Sequence, residues 1–132
     1  MKKCFIVLLI ILCLLLANFS YAETNAVLAD PVFYHMSASL QANKKLTISV
    51  ITRSNASLIK VDACTLQIQV GTVWQDVCSL VPPSHTTTNT NVYGTTIDYS
   101  SSIGVGTYRI VVTMNADGYT KDVSSNAKTF SS

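Results

Sequence analysis

Between residues 32 and 123 apolar side chains return at alternate positions, and nothing after residue 22 carries the spacing of an amphipathic helix. A period of two puts successive side chains on opposite faces of a strand, so such a chain must bury one face of a sheet. The runs cover 32–40, 46–51, 64–70, 73–78, 93–99, 108–114 and 119–123, the last resuming near 128–130. In the first, Val32, Tyr34, Met36, Ala38 and Leu40 share one face, and Phe33, His35, Ser37 and Ser39 the other. Gly71-Thr72, the 100–106 stretch and Asn115-Ala116-Asp117-Gly118 read as turns, and 53–57 as a loop. Residues 79–91, with Pro82-Pro83 and Thr86-Thr87-Thr88, read as a connection crossing between sheets. The pattern predicts an all-β fold: an antiparallel, immunoglobulin-like β-sandwich of about seven strands, with a small β-barrel as the competing architecture.

Ahead of this pattern stands a different one. Lys2 and Lys3 precede an unbroken apolar run over residues 4–17, and Ser20 and Ala22 put small side chains three and one positions before a cut between Ala22 and Glu23. That is the layout of a secretory signal peptide. The run is 14 residues long, shorter than the roughly 20 that span a bilayer. The expectation is a signal at 1–22, a single domain at 23–132, a secreted or surface-associated product, and no stable membrane insertion after cleavage. Without Lys2 and Lys3 the nine basic residues become seven, matching the seven acidic ones. No basic patch argues for nucleic acid.

Cleavage would also remove Cys4 and Cys13, leaving Cys64 and Cys78. In an exported domain two thiols most simply form one disulfide; in a reducing exterior both would be buried. The bridge constrains the hairpin around Gly71. A two-residue Gly71-Thr72 turn pairs Leu66 with Val77 and sets the two cysteines on opposite faces. A three-residue loop, or a bulge between Asp76 and Cys78, is therefore expected, with Trp74 packing inward beside Ile68 in the three-residue case.

Two segments carry a resemblance. Leu66-Gln67-Ile68-Gln69-Val70-Gly71-Thr72-Val73-Trp74-Gln75-Asp76-Val77 resembles the strand, glycine turn, tryptophan, strand segment of small secreted β-sandwich proteins of Gram-positive bacteria, immunoglobulin-like or fibronectin-type-III-like in fold. Gly106-Thr107-Tyr108-Arg109-Ile110 is similar to their entry into a late central strand. The likeness implies a fold and an address, not an activity. Cys64 and Cys78 stand closer together than the usual inter-sheet bridge of immunoglobulin domains.

The residues name no catalytic group, cofactor or metal. His35 and His85 have no Ser, Cys or carboxylate at suggestive spacing. No pair among Glu23, Asp30, Asp62, Asp76, Asp98, Asp117 and Asp122 suggests a glycosidase, and Asp117 belongs to a turn rather than a calcium loop. Tyr93 and Tyr99 suit a core, the alternative being an outward-facing pair beside Phe33 that would suit glycan or protein binding. Asn55-Ala56-Ser57 is a glycosylation sequon that matters only in a eukaryotic host. The leading expectation is a secreted, non-enzymatic binding or accessory domain for a protein or glycan at the cell surface, working through loops such as 53–59 and 79–91. Alternatives are an assembly subunit using strand-edge pairing, and a small hydrolase or protease inhibitor.

Overall fold

The computed structural model describes residues 30–81 and 85–132; the expected signal peptide at 1–22 lies outside them. Seven antiparallel strands carry the fold: β1 (Phe33–Leu40), β2 (Lys45–Val70), β3 (Val73–Ser79), β4 (Thr86–Asp98), β5 (Gly106–Ala116), β6 (Tyr119–Ser124) and β7 (Lys128–Phe130). All ladders join one sheet, curled into a half-barrel. The pairing does not divide into the two sheets of a sandwich.

The curl comes from β2, a strand of 26 residues. Its first stretch lies between β1 and β4, and its later stretch pairs with β5 and β3. Ile59 pairs with both Thr87 and Ala116, so β4 and β5 take opposite edges there. It follows that β1 and β5 follow one another along one edge of β2, and β4 and β3 along the other. The 53–57 segment, expected as a loop, is the bend inside β2. The register shifts between Ile51 and Ala56 and again between Val61 and Ala63. The inward parity changes twice along β2, from Leu46, Ile48, Val50, Thr52 and Ala56 to Ile59 and Val61 and then, across the second shift, to Cys64 and Leu66. Asp117 caps the bend: its carboxylate accepts the Ser57 and Leu58 N–H groups at 3.0 and 2.9 Å.

Bulges also revise β1 and the hairpin. A register shift between Phe33 and His35 buries Phe33 and leaves Tyr34 68% exposed, the reverse of strict alternation. Gly71 and Thr72 form a two-residue loop closed by Val70 and Val73, with positive φ at Gly71 only, as in a type II′ turn. Asp117 and Gly118 both take positive φ and close the β5/β6 hairpin as a type I′ turn. The fully buried side chains are Tyr99, Leu40, Leu46, Ile48, Ile59, Leu66, Ile110, Met114, Val50, Val112 and Cys64. Tyr93 is buried too, so both tyrosines sit in the core.

The expected disulfide is absent: Cys64 and Cys78 are free thiols. The two-residue turn would have set them on opposite faces. The bulge at Val77 brings Cys78 to the inner face, opposite Leu66, while Leu80 donates its N–H to the Cys64 carbonyl at 2.8 Å. The cysteines therefore share a face but stand two positions out of step. The Cys64 Sγ lies 3.0 Å from the Tyr99 hydroxyl instead, and burial raises both groups above their ordinary pKa values.

Candidate binding surfaces

The expected functional loops are mostly strand. Residues 53–59 belong to β2. Of 79–91, Ser79 ends β3 and 86–91 begin β4, with 82–84 outside the described residues. His35 and His85 are exposed. Each described carboxylate has a structural partner: Asp62 takes Asn115 and Lys60, Asp98 the Ser100 N–H, Asp122 the Thr113 hydroxyl. These bonds lower Asp62, chiefly through Asn115, and Asp98, chiefly through Ser100. No group of three or more His, Cys, Asp or Glu side chains among the described residues could hold a metal.

Two places gather side chains that packing does not require. The first is the outer face of β3, β2 and β5. The two-residue turn pairs Gln69 with Trp74 and Gln67 with Asp76, while Gln67 also pairs with Arg109 on its other side. Trp74, expected inside with Ile68, therefore lies on the outer face, half-exposed. The Arg109 guanidinium stands over its ring, 4.4 Å from the centroid. Arg109 donates through Nε to the Gln67 Oε1 at 2.8 Å, and Gln67 Nε2 donates to Asp76 Oδ1 at 2.8 Å. One chain of contacts thus runs from ring to cation to amide to carboxylate across three strands, and each member fixes the next one's rotamer. Sequence reasoning had the residues but not their side of the sheet, because a one-residue difference in turn length reverses every facing.

The second is the seam where β1 and β6 face each other without a ladder. Side chains close it at both ends. At one end Phe33 meets Tyr119, ring centroids 5.9 Å apart, and Lys121 bonds Asp30 at 2.6 Å. At the other, Asn126 accepts the Leu40 N–H through its amide oxygen and donates to the Leu40 carbonyl. At the first of these ends lies a cleft of about 260 Å³, lined among others by Asp30, Tyr34, Arg53, Lys121 and Val123. A second cavity of about 230 Å³ lies beside the β2 bend, lined in part by Thr52, Asp117 and Tyr119. Asp30 also accepts the Val32 and Phe33 N–H groups at 2.8 and 2.7 Å. The Lys121 hydrogen bond, then the Phe33 N–H, hold its carboxyl at about 2, below the usual 3.8. Its carboxylate thus staples Lys121 of β6 to the start of β1.

Compared with protein-family models, curated proteins and solved structures, the chain finds no match in any of the three.

Proposed function

We propose that the chain is exported after cleavage between Ala22 and Glu23 and works outside the cytoplasm as a non-enzymatic binding domain, holding a saccharide of the cell surface against Trp74. The observation that carries this reading is the network of Trp74, Arg109, Gln67 and Asp76. A sugar ring offers an apolar C–H face and a rim of hydroxyls that both donate and accept. The outer face supplies the counterparts: an indole, the terminal guanidinium amines of Arg109, and the second carboxylate oxygen of Asp76. Because these side chains are tied to one another before any ligand arrives, less ordering entropy opposes binding. Of the flanking outer positions Thr65, Gln69 and Thr107 are polar and Val111 alone is aliphatic, a balance that suits a hydrated ligand.

The test is an array of cell-surface polysaccharide fragments probed with the exported protein and with Trp74→Ala and Arg109→Ala. Saturable binding lost in both variants is the expected result. Binding that survives Trp74→Ala would move the site elsewhere. A second reading, assembly through strand edges, is favoured by the unpaired seam.

A further inference from the structure

We propose that the cleft where β1 and β6 meet beside Asp30 binds a free α-amino acid with an apolar side chain, taking its carboxylate on Arg53 and its ammonium on Asp122.

The cleft owes its shape to the bulge in β1. The register shift between Phe33 and His35 inserts Tyr34 as an extra residue whose side chain stays 68% exposed. Arg53 stands one residue past Thr52, where the β1/β2 ladder ends at Phe33. Its N–H goes to the Val32 carbonyl at 2.9 Å and its Nε to the Asp30 carbonyl at 2.6 Å, and its guanidinium lies 5.7 Å from the centre of the Tyr34 ring. The residue is thus held at three points, and its two terminal amines are left over. A guanidinium presents such a pair at the spacing of a carboxylate's two oxygens.

The charges around the cleft say what kind of molecule those amines should meet. Four side chains charged at neutral pH line it: Arg53, Lys121, Asp30 and Asp122. Lys121 and Asp30 neutralise each other at 2.6 Å, and Asp30 spends its other oxygen on the Val32 and Phe33 N–H groups. Asp122 takes the Thr113 hydroxyl on Oδ1 alone. No ion pair joins Arg53 to Asp122. One cation and one carboxylate therefore remain unspent in the same cleft. A simple anion attracted by Arg53 is repelled by Asp122, and a simple cation the reverse. A ligand that carries both charges meets each with its opposite, and an α-amino acid carries them on either side of one carbon.

The remaining walls select the side chain. Phe33, Met36 and Val123 also line the cleft. Met36 and Val123 pack against the core yet are only partly buried, so an aliphatic or thioether group laid over them removes apolar surface from water. A cavity of roughly 150 Å³ holds benzene, so a cleft of about 260 Å³ has room for an amino acid of the size of leucine. The Lys121 and Asp30 staple and the three holds on Arg53 exist before any ligand arrives, which lowers the ordering entropy that opposes binding. The cleft is independent of the saccharide face, whose Trp74 belongs to β3 and lies against the later stretch of β2.

The test is calorimetric titration of the mature protein with L-leucine, with L-leucinamide, which lacks the carboxylate, and with N-acetyl-L-leucine, which lacks the ammonium. L-leucine should bind at one site per chain, and each blocked form about tenfold more weakly or worse, the loss of one charge-assisted contact. Arg53→Gln should bind L-leucine and L-leucinamide alike, and Asp122→Asn should bind L-leucine and N-acetyl-L-leucine alike, because each variant removes the partner of the blocked group. Both side chains are exposed, and an unchanged unfolding transition checks that the variants fold. Absence of saturable binding of L-leucine, L-methionine and L-phenylalanine at millimolar concentration would overturn the proposal, as would binding of L-leucine that neither blocking group nor Arg53→Gln weakens. Trp74→Ala should leave L-leucine binding unchanged, which keeps this result separate from that of the saccharide face; a loss there would place the amino acid on that face and overturn the proposal.

Discussion

Strand β2 passes through two surroundings, and its outer positions differ between them although its inner ones do not. Along the first stretch most outward neighbours are short hydroxyls, Ser37, Ser39, Thr47, Ser49 and Thr96, with His35, Ile51 and Val92 in one row beside the bend. The hydroxyls are tied to little beyond the Gln41 amide that donates to Thr47 at 3.1 Å. Along the later stretch the outward neighbours are Gln67, Trp74, Asp76 and Arg109, locked into one network. Beneath both, the inner side chains are fully buried and mainly aliphatic, Leu46, Ile48 and Val50 in one case and Leu66 beside the Cys64 thiol in the other. Packing dictates the inner face of a sheet and leaves the outer face free. A hydroxylated face meets only the need for solubility. The other face sets a tryptophan and an arginine against one another, and the proposed binding surface rests on that contrast.

The comparison can be broken most forcefully from the inside. Ile48→Ala and Leu66→Ala should each cost about 3 kcal/mol of unfolding free energy, since each opens a cavity at a fully buried site. Denaturant unfolding of the two variants should show single transitions with similar losses. Two separate transitions would mean that the stretches do not share one core. The outer faces should then part company. Trp74→Ala should cost about 2 kcal/mol of saccharide affinity, roughly thirtyfold in Kd, with little change in stability. Thr47→Ala and Ser49→Ala should leave affinity within about 0.5 kcal/mol of the wild type. Equal losses from both faces would erase the contrast.

The seam between the stretches adds a pH signature. Asp30 has a folded-state pKa of about 2 and an unfolded value near 3.9. Its contribution is therefore present above pH ~4 and is lost as the pH falls from there toward ~2. Asp30→Asn should flatten the stability curve across that window and leave it unchanged at neutral pH apart from a constant offset. A slope identical to the wild type would take Asp30 out of the seam. The smallest effect concerns the thiols. Under native conditions an alkylating reagent should modify Cys78, partly exposed, before Cys64, which is fully buried and whose thiol burial pushes up. Unfolding without reductant should yield two adducts; a chain that takes none would contain the bridge after all.

How far the fold could be read from residues depended on where the period of two ran unbroken. It did so over 108–114, and there every inward and outward assignment agrees with the structure. It did so at Asn115-Ala116-Asp117-Gly118, where a turn needing two positive φ angles has the residues that tolerate them. It broke where one extra residue entered a strand. Near Phe33 the bulge exchanged the places of a buried and an exposed aromatic, and at Val77 it slid Cys78 opposite Leu66. The polar run 53–57 looked like a loop because its side chains face solvent, yet its backbone continues β2 through the bend. The candidate site failed to appear for the same reason. Trp74, Arg109, Gln67 and Asp76 were visible as residues, but only the register of two ladders brings them to one face.

The most direct measurement follows from a count of one. Trp74 is the only tryptophan in the chain, so its emission reports on the proposed surface and on nothing else. Titrating the protein with cell-surface polysaccharide fragments should shift that emission to shorter wavelength in a saturable way, with the response lost in Arg109→Ala and kept in Thr47→Ala. A fragment that binds by calorimetry while the emission of Trp74 stays constant would place the ligand elsewhere and contradict the account.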